Sequence, residues 1–239
     1  MNLVLFRPAE VGQPLRIDDP RTRHVLDVLH RVEGDEFDAG LINGPRGKAR
    51  IDRSTAQELR VSFRAESPAE SPDPLTLLVG LPRPQTARDI LREATTLGLS
   101  ALYFVAGEKS EPSYVQSTLW RDGEWERHVI AGAQQAFSTL VPPVTFDLRL
   151  AAALLALPAG PRRVALDNYE ATTAFAAMRF APAEPLVLAL GPERGWGADD
   201  RALLRSAGFT FGHLGARVLR LETAVVAALT LAKAARGTL

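Results

Sequence analysis

The sequence contains no cysteine among its 239 residues, which excludes disulfides and any metal site built on thiolates. Its four histidines, His24, His30, His128 and His213, are scattered along the chain. No two of them have the helical spacing that places a pair of ligands on one metal ion. We therefore expect a protein without a metal.

Neither sign of charge is in excess. There are 28 basic and 28 acidic residues, so the formal net charge is zero. Proteins that bind nucleic acid in a general way are usually more basic, and the balance therefore counts mildly against RNA binding. A local basic patch on a neutral protein stays open as an alternative.

Long apolar runs are also missing. No segment approaches the roughly 18 residues that span a bilayer. The first ten residues, MNLVLFRPAE, have neither the basic segment nor the apolar core of a signal peptide. With 46% apolar and 23% charged residues, the composition is that of a globular protein with ample length for a core. We expect a cytoplasmic protein with no membrane partner.

The most informative pattern lies near the carboxyl end. Leu186–Leu190 is an apolar run without breakers, which is typical of a strand covered on both faces. It leads directly into the glycine-rich segment 191–197, a loop whose backbone must approach something closely. Asp199 and Asp200 suit the start of a helix that should run to about Ser206.

A second strand, predicted over Phe209–Leu214, ends in another glycine turn at 214–220. Glu222 and Thr223 then begin an alanine-rich helix. Two glycine loops at the ends of buried strands predict a pocket at the carboxyl ends of those strands, suited to a nucleotide-like ligand. Two tight turns of an ordinary α/β sheet are the alternative from spacing alone.

The two loops together resemble a known family. GPERGW followed by LGARVLRLETA is similar to the GPEGG and LGxRILRxETA signatures of the small-subunit ribosomal RNA uridine-N3 methyltransferases (RsmE type), of the SPOUT class. The resemblance implies a trefoil-knotted α/β domain with a mainly parallel sheet over residues 75–239, the knot lying within about 186–239. It also implies S-adenosylmethionine as cofactor and N3 of a specific uridine in 16S ribosomal RNA as target.

The same resemblance assigns site residues. The loops that would wrap the methyl donor contain Leu190, Gly191, Glu193, Gly195, Leu214, Gly215, Val218 and Leu219. Arg217 and Arg220 would bind a phosphate or stabilise a uracil oxyanion, and Glu222 would accept the N3 proton or simply cap its helix. Trp196 would stack on a flipped base or pack the loop onto the domain.

Residues 1–66 are predicted to form a small β-rich module, followed by a proline-rich linker at 67–74. The module resembles the PUA-like amino-terminal barrel of the same family. Its helix RTRHVLDVLH should place Val25, Leu26, Val28 and Leu29 on one face. The RNA-binding candidates are Arg21, Arg23, His24, Arg31, Arg83 and Lys109. A solvated polar face is the alternative for the helix residues.

The middle of the chain, where strands alternate with helices, departs from the family pattern. Glu93, Thr96, Gln134 and Ser138 replace the residues expected there, including an arginine at 138. These positions are ones that face RNA in the family, whereas those that hold the donor are nearly intact.

Two hypotheses stay open beside uridine-N3 methylation, and a third is disfavoured. One is a related enzyme with another target, such as a ribose 2′-hydroxyl, and one is a non-catalytic RNA-binding factor in ribosome assembly. A nucleotide-binding oxidoreductase is disfavoured because no GxGxxG follows a strand. The apolar last helix predicts a contact face for a homodimer.

Overall fold

The computed structural model describes residues 3–239. The chain divides into two compact units. The first runs to Ser71 and also includes Ile130–Val141, and the second comprises Pro72–Val129 and Pro142–Leu239. The return of a central segment to the first unit is a feature that the sequence analysis did not predict, and it places the altered residues Gln134 and Ser138 in the same unit as the amino-terminal module.

The first unit is built on a five-stranded sheet with the order β1-β3-β4-β5-β2. Its core contains side chains such as Phe6, Phe37 and Ile51, and β1 is parallel to β3 while the other pairs are antiparallel. The strands are β1 (Val4–Phe6), β2 (Leu15–Arg16), β3 (Glu36–Leu41), β4 (Arg46–Ser54) and β5 (Glu58–Ser67), with a 3-10 turn at Pro8–Glu10.

The helical segment of this unit differs from its prediction. It begins as α1 (Pro20–Arg23) and continues as a π-helical turn over His24–Val28, in which the Leu29 N–H donates to the His24 carbonyl. A π turn contains more residues than an α turn, so a residue three positions on no longer shares a face. The prediction for Val28 is therefore wrong: it is 62% exposed, whereas Val25 is fully buried.

The second unit is a six-stranded parallel sheet with the order β11-β9-β10-β6-β7-β8. The strands are β6 (Leu75–Gly80), β7 (Ala101–Ala106), β8 (Val144–Arg149), β9 (Arg162–Leu166), β10 (Leu186–Leu190) and β11 (Thr210–Gly212). The helices that follow α1 in the chain are α2 (Pro84–Leu97), α3 (Thr118–Arg121), α4 (Trp125–Gln135), α5 (Leu150–Ala156), α6 (Ala198–Ser206) and α7 (Leu221–Arg236), with 3-10 turns at Pro112–Gln116 and Phe175–Ala177.

The mainly parallel α/β sheet predicted for this unit is confirmed. Every residue of β10 is buried, because helices cover both faces of a parallel sheet and only an uninterrupted apolar run suits that position. Since all six strands are parallel, β6, β9 and β10 end at the same edge, and the segments that follow them meet there. None of the helices within residues 3–239 is both long enough and apolar enough to cross a membrane.

The carboxyl-terminal helix α7 is fixed to the start of β6 by one carboxylate. Asp73 accepts hydrogen bonds from Lys233 Nζ at 2.7 Å, Arg236 Nη2 at 2.7 Å and Thr238 Oγ1 at 2.9 Å. Burial alone would raise the pKa of Asp73, but the hydrogen bonds from Arg236, Lys233 and Thr238 outweigh it and lower the pKa below its usual 3.8. This cluster holds the helix whose first turn borders the site.

Candidate functional site

An open cavity of about 880 Å³ lies at the carboxyl edge of the parallel sheet. Its walls are the segments that follow β9, β10 and β11 and the first turns of α2 and α7. The cavity brings together every predicted donor-binding and catalytic residue: Leu190, Gly191, Glu193, Gly195, Leu214, Gly215, Arg217, Val218, Leu219, Arg220 and Glu222, together with Arg83.

The loop after β10 packs tightly against its own chain. A Cβ on Gly191 would stand 2.7 Å from the Trp196 nitrogen, and one on Gly80 would stand 2.3 Å from Pro192 Cδ. The expected close approach at Gly191 is therefore to the loop itself. Trp196 is fully buried in the core, so the packing interpretation holds and stacking of Trp196 on a base is wrong.

Glu193 braces this loop against the start of α2. Its Oε1 accepts hydrogen bonds from the Arg83 backbone N–H at 3.1 Å and from Arg83 Nε at 3.3 Å. The bracing role was one of the two that the sequence left open for Glu193. Arg83, an RNA-binding candidate, thus borders the cavity with its charge already partnered.

The second loop, 214–220, is more open. Gly215 has a φ of +111°, which side chains rarely adopt, and apart from its two chain neighbours no described residue has an atom within 4 Å of the position that its Cβ would take. Its N–H donates to His213 Nδ1 at 3.1 Å, which fixes the turn. Val218 is 87% exposed and lines the cavity, as does Gly215. The loop therefore offers both an apolar side chain and backbone amide and carbonyl groups to a ligand.

Three charged side chains of this loop and of α7 stand without partners. Arg217, Arg220 and Glu222 line the cavity and make no side-chain hydrogen bond or ion pair with any residue that the structure describes. By contrast, Arg201 nearby is held by Asp167 at 2.8 Å. Charges left unneutralised at a concave surface are available to a charged ligand or to a reaction.

Sequence reasoning missed two groups of cavity residues. Asp167, Asn168 and Tyr169 follow β9, and their position just after a buried parallel strand was the available signal. Gln85 and Asp89 come from the first turns of α2, where helical periodicity alone gives no indication of a site.

Lys109 lies beside the cavity because of a buried carboxylate at the start of α6. Asp200 accepts hydrogen bonds from the backbone N–H of Glu108 and of Gly197, each at 3.1 Å. This contact fixes the loop after β7, and Lys109 Nζ then donates to the Arg194 carbonyl at 3.4 Å.

The remaining RNA-binding candidates lie in the first unit and are not equivalent. Arg21 is held by Glu10 at 2.7 Å and by Asp19 at 2.8 Å, and its hydrogen bond to Glu10 lowers the pKa of that carboxyl. Arg23 and Arg31 are exposed, and their side chains make no hydrogen bond with a described residue. His24 lines a smaller cleft of about 340 Å³.

Candidate metal ligands are not grouped in residues 3–239, which contain no set of three or more His, Cys, Asp or Glu side chains placed to hold an ion. The groups that the cavity offers to a ligand are the backbone of its two loops and its apolar and charged side chains.

The chain is similar in sequence to known RNA methyltransferases. A family model described as an RNA methyltransferase domain matches residues 69–233. A protein named ribosomal RNA small subunit methyltransferase E from Treponema pallidum is 35% identical over 95% of this chain and 89% of its own length.

Solved structures agree with the fold over nearly the whole chain. The crystal structure of a ribosomal RNA small subunit methyltransferase E from Neisseria gonorrhoeae, bound to S-adenosyl methionine, has a TM-score of 0.79 and 25% identity, covering 98% of this chain and 97% of that one. A probable rRNA-methyltransferase from Porphyromonas gingivalis has a TM-score of 0.81 at 20% identity, covering 99% of each chain. The predicted fold class, a SPOUT-type knotted α/β domain with a PUA-like amino-terminal domain, is confirmed by these likenesses.

Proposed function

The chain belongs to the RNA methyltransferase family, and we propose that it transfers a methyl group from S-adenosylmethionine to N3 of a uridine in 16S ribosomal RNA. The observation that carries the proposal is the cavity, in which two glycine loops meet three unpartnered charged side chains: Arg217, Arg220 and Glu222. The names of the relatives support small-subunit ribosomal RNA as the substrate.

The cavity suits the donor in size and chemistry. Its volume of about 880 Å³ falls within the range of small-molecule sites. Leu190, Leu214 and Leu219 offer apolar contact to an adenine, and the exposed backbone around Gly215 offers amide and carbonyl groups. When bound there, S-adenosylmethionine supplies an electrophilic methyl group on a positively charged sulfur.

The reaction then depends on positioning and on one proton. The uracil N3 must lie in line with the methyl carbon and the sulfur, a geometry that the two loops fix by holding the donor. N3 carries a proton that has to leave as the new N–C bond forms and the C–S bond breaks. In this proposal the carboxylate of Glu222 accepts that proton, and Arg217 and Arg220 stabilise negative charge on the uracil oxygens.

Labelled methyl transfer tests the proposal. Unmodified 16S RNA and intact small subunits are each incubated with the protein and labelled donor, and the RNA is digested to nucleosides. We expect label in 3-methyluridine from at least one of the two substrates. Label in a 2′-O-methylated nucleoside would assign the ribose instead, and an absence of label in both would favour a non-catalytic role.

A further inference from the structure

Tyr169 is an aromatic side chain of the cavity to which the proposed reaction assigns no role. It is 77% exposed although it lines the cavity. Its hydroxyl makes no hydrogen bond with any residue in the described part of the chain. A large exposed ring at the rim of a cavity is able to pack against another flat or apolar group.

The backbone of the loop that carries Tyr169 is hydrogen-bonded to a buried carboxylate. Asp167 Oδ1 accepts hydrogen bonds from the backbone N–H of Tyr169 at 2.7 Å and of Glu170 at 2.8 Å. Asp167 Oδ2 accepts from Arg201 Nε at 2.8 Å, and the Asp167 side chain is only 1% exposed. The backbone beneath the ring is thus fixed by a buried, fully engaged carboxylate, so little conformational entropy is lost when the ring is covered.

The surroundings of the ring combine close backbone and positive charge. Its Cε2 lies 3.5 Å from the position that a Cβ on Gly195 would take, which sets the ring against the donor loop. Lys109 Nζ and Arg201 Cζ lie over the ring, 5.9 Å and 5.3 Å from its centroid, and the residue stays 77% exposed with these contacts in place. An exposed aromatic face beside cationic groups is the arrangement by which proteins hold the bases and phosphates of single-stranded RNA.

We propose that Tyr169 is a stacking platform for single-stranded RNA and that it receives the target uracil at the mouth of the cavity. The claim that Tyr169 receives the target uracil rests on the proposed function, whereas the claim that Tyr169 stacks on a base of single-stranded RNA does not. Stacking uses the face of the ring, so the hydroxyl is dispensable and phenylalanine can replace tyrosine. The donor is held by the two loops and does not require the ring.

A binding experiment without methyl transfer tests this. The probes are an oligouridylate of roughly ten nucleotides, a length that suits one single-strand site, and a strand of equal length whose riboses carry no base. Fluorescence anisotropy measures both affinities for the wild type, Tyr169→Ala, Tyr169→Phe and Leu155→Ala. Leu155 is the matched control because it is 89% exposed on α5 and does not line the cavity.

We expect the wild type, Tyr169→Phe and Leu155→Ala to prefer oligouridylate over the abasic strand by about 10-fold, the scale of one stacked base. Tyr169→Ala should lose most of that preference and keep its affinity for S-adenosylhomocysteine. A preference unchanged in Tyr169→Ala overturns the proposal. The proposal is also overturned if the main effect of Tyr169→Ala is weaker binding of S-adenosylhomocysteine, because the ring would then contact the methyl donor. It is likewise overturned if the main effect is dissociation of an oligomer, because the ring would then contact a second copy of the chain. Absence of 3-methyluridine from wild-type reactions overturns the proposed function alone.

Discussion

Arg217, Arg220 and Glu222 line the cavity without an ion pair to any described residue, as does Arg194 in the loop after β10. Arg83 is paired with Glu193, and Arg201 is paired with Asp167. Charged side chains that line a cavity without a partner are available to a charged ligand or to a reaction.

Arg220 provides the first test of a single residue. Arg220→Ala should lower kcat by about 100-fold, the usual effect of removing one group that stabilises charge in a transition state. RNA affinity should change little, because the charge matters most when the uracil becomes anionic. Single-turnover methyl transfer and RNA binding, measured on the same preparations, separate the two effects.

The control for this prediction is Arg121→Ala, since Arg121 is exposed in the same unit and paired with Asp122 away from the cavity. Equal loss of turnover in both variants would mean that Arg220 contributes only to general surface charge. Loss of RNA affinity with kcat unchanged would assign Arg220 to substrate binding.

Among the elements, α7 shows how a distant contact supports the site. Asp73 is hydrogen-bonded to Lys233, Arg236 and Thr238, and the Arg236 side chain is fully buried. Asp73→Asn removes the negative charge and leaves two buried cations uncompensated. We expect the free energy of unfolding to fall by about 3 kcal/mol, as for other broken buried ion pairs. Urea unfolding near neutral pH measures it.

The wild type and Asp73→Asn should also differ in how their stability depends on pH. The pKa of Asp73 in the folded state lies below its usual 3.8, so its stabilisation is present above that value and is lost as the pH falls through the folded pKa. The stability gap between wild type and Asp73→Asn should therefore shrink as the pH falls below 3.8. Asp18→Asn is the control, because Asp18 pairs with Arg16 at the surface. A gap that stays constant with pH would contradict the account of the cluster.

How well each element could be predicted depended on whether local sequence determines it. The bounds of β10 were predicted correctly because an apolar run between breakers leaves no alternative. β11 is shorter than predicted, Thr210–Gly212 instead of Phe209–Leu214, since the apolar pattern does not mark where pairing with β9 ends. The π turn at His24–Val28 has no sequence signal.

Long-range features of the site were beyond the sequence. Nothing local relates Asp73 to Arg236, 163 positions away, or shows that Trp196 turns inward. The loops 190–195 and 214–220 could be found because glycines clustered directly after a buried strand indicate a turn or a close backbone approach. Tyr169 was missed because a single exposed aromatic carries no pattern.

For the whole molecule, RNA recognition should be shared between units. The exposed pair Arg23 and Arg31 is expected to contact phosphates, so the double alanine variant should weaken RNA binding and reduce the slope of log affinity against log salt by about two, roughly one per phosphate. Donor affinity should be unchanged. Salt titrations of RNA binding provide the measurement.

Arg21→Ala provides the contrast in the same helix. Because Arg21 is engaged by Glu10 and Asp19, its loss should lower the melting temperature and leave the salt slope nearly constant. A salt slope that falls for Arg21→Ala as much as for the exposed pair would show that the ion pairs open to receive RNA.

The second expectation for the whole molecule concerns its oligomeric state. The free side of α7 presents Leu231, Ala234 and Ala235, and we expect it to contribute to a symmetric homodimer. Leu231→Arg should shift sedimentation at micromolar concentration towards one chain. The control is Leu203→Arg on α6, since Leu203 is 39% exposed and Leu231 is 37% exposed. Leu203→Arg should leave the sedimentation unchanged. A wild type that sediments as an active single chain would remove the expectation.

We propose that the cavity between the two glycine loops holds the methyl donor, and titration calorimetry with S-adenosylhomocysteine is the measurement that checks this claim. Gly215 and Gly208 both have positive φ, +111° and +81°, and beyond their chain neighbours no residue among 3–239 has an atom within 4 Å of a Cβ added there. Gly215 lines the cavity and Gly208 does not. The wild type and Gly208→Ala should bind the ligand equally, and Gly215→Ala should bind it about tenfold more weakly, a difference of roughly 1.4 kcal/mol. Absence of binding to the wild type, or equal affinity in all three proteins, would contradict the claim.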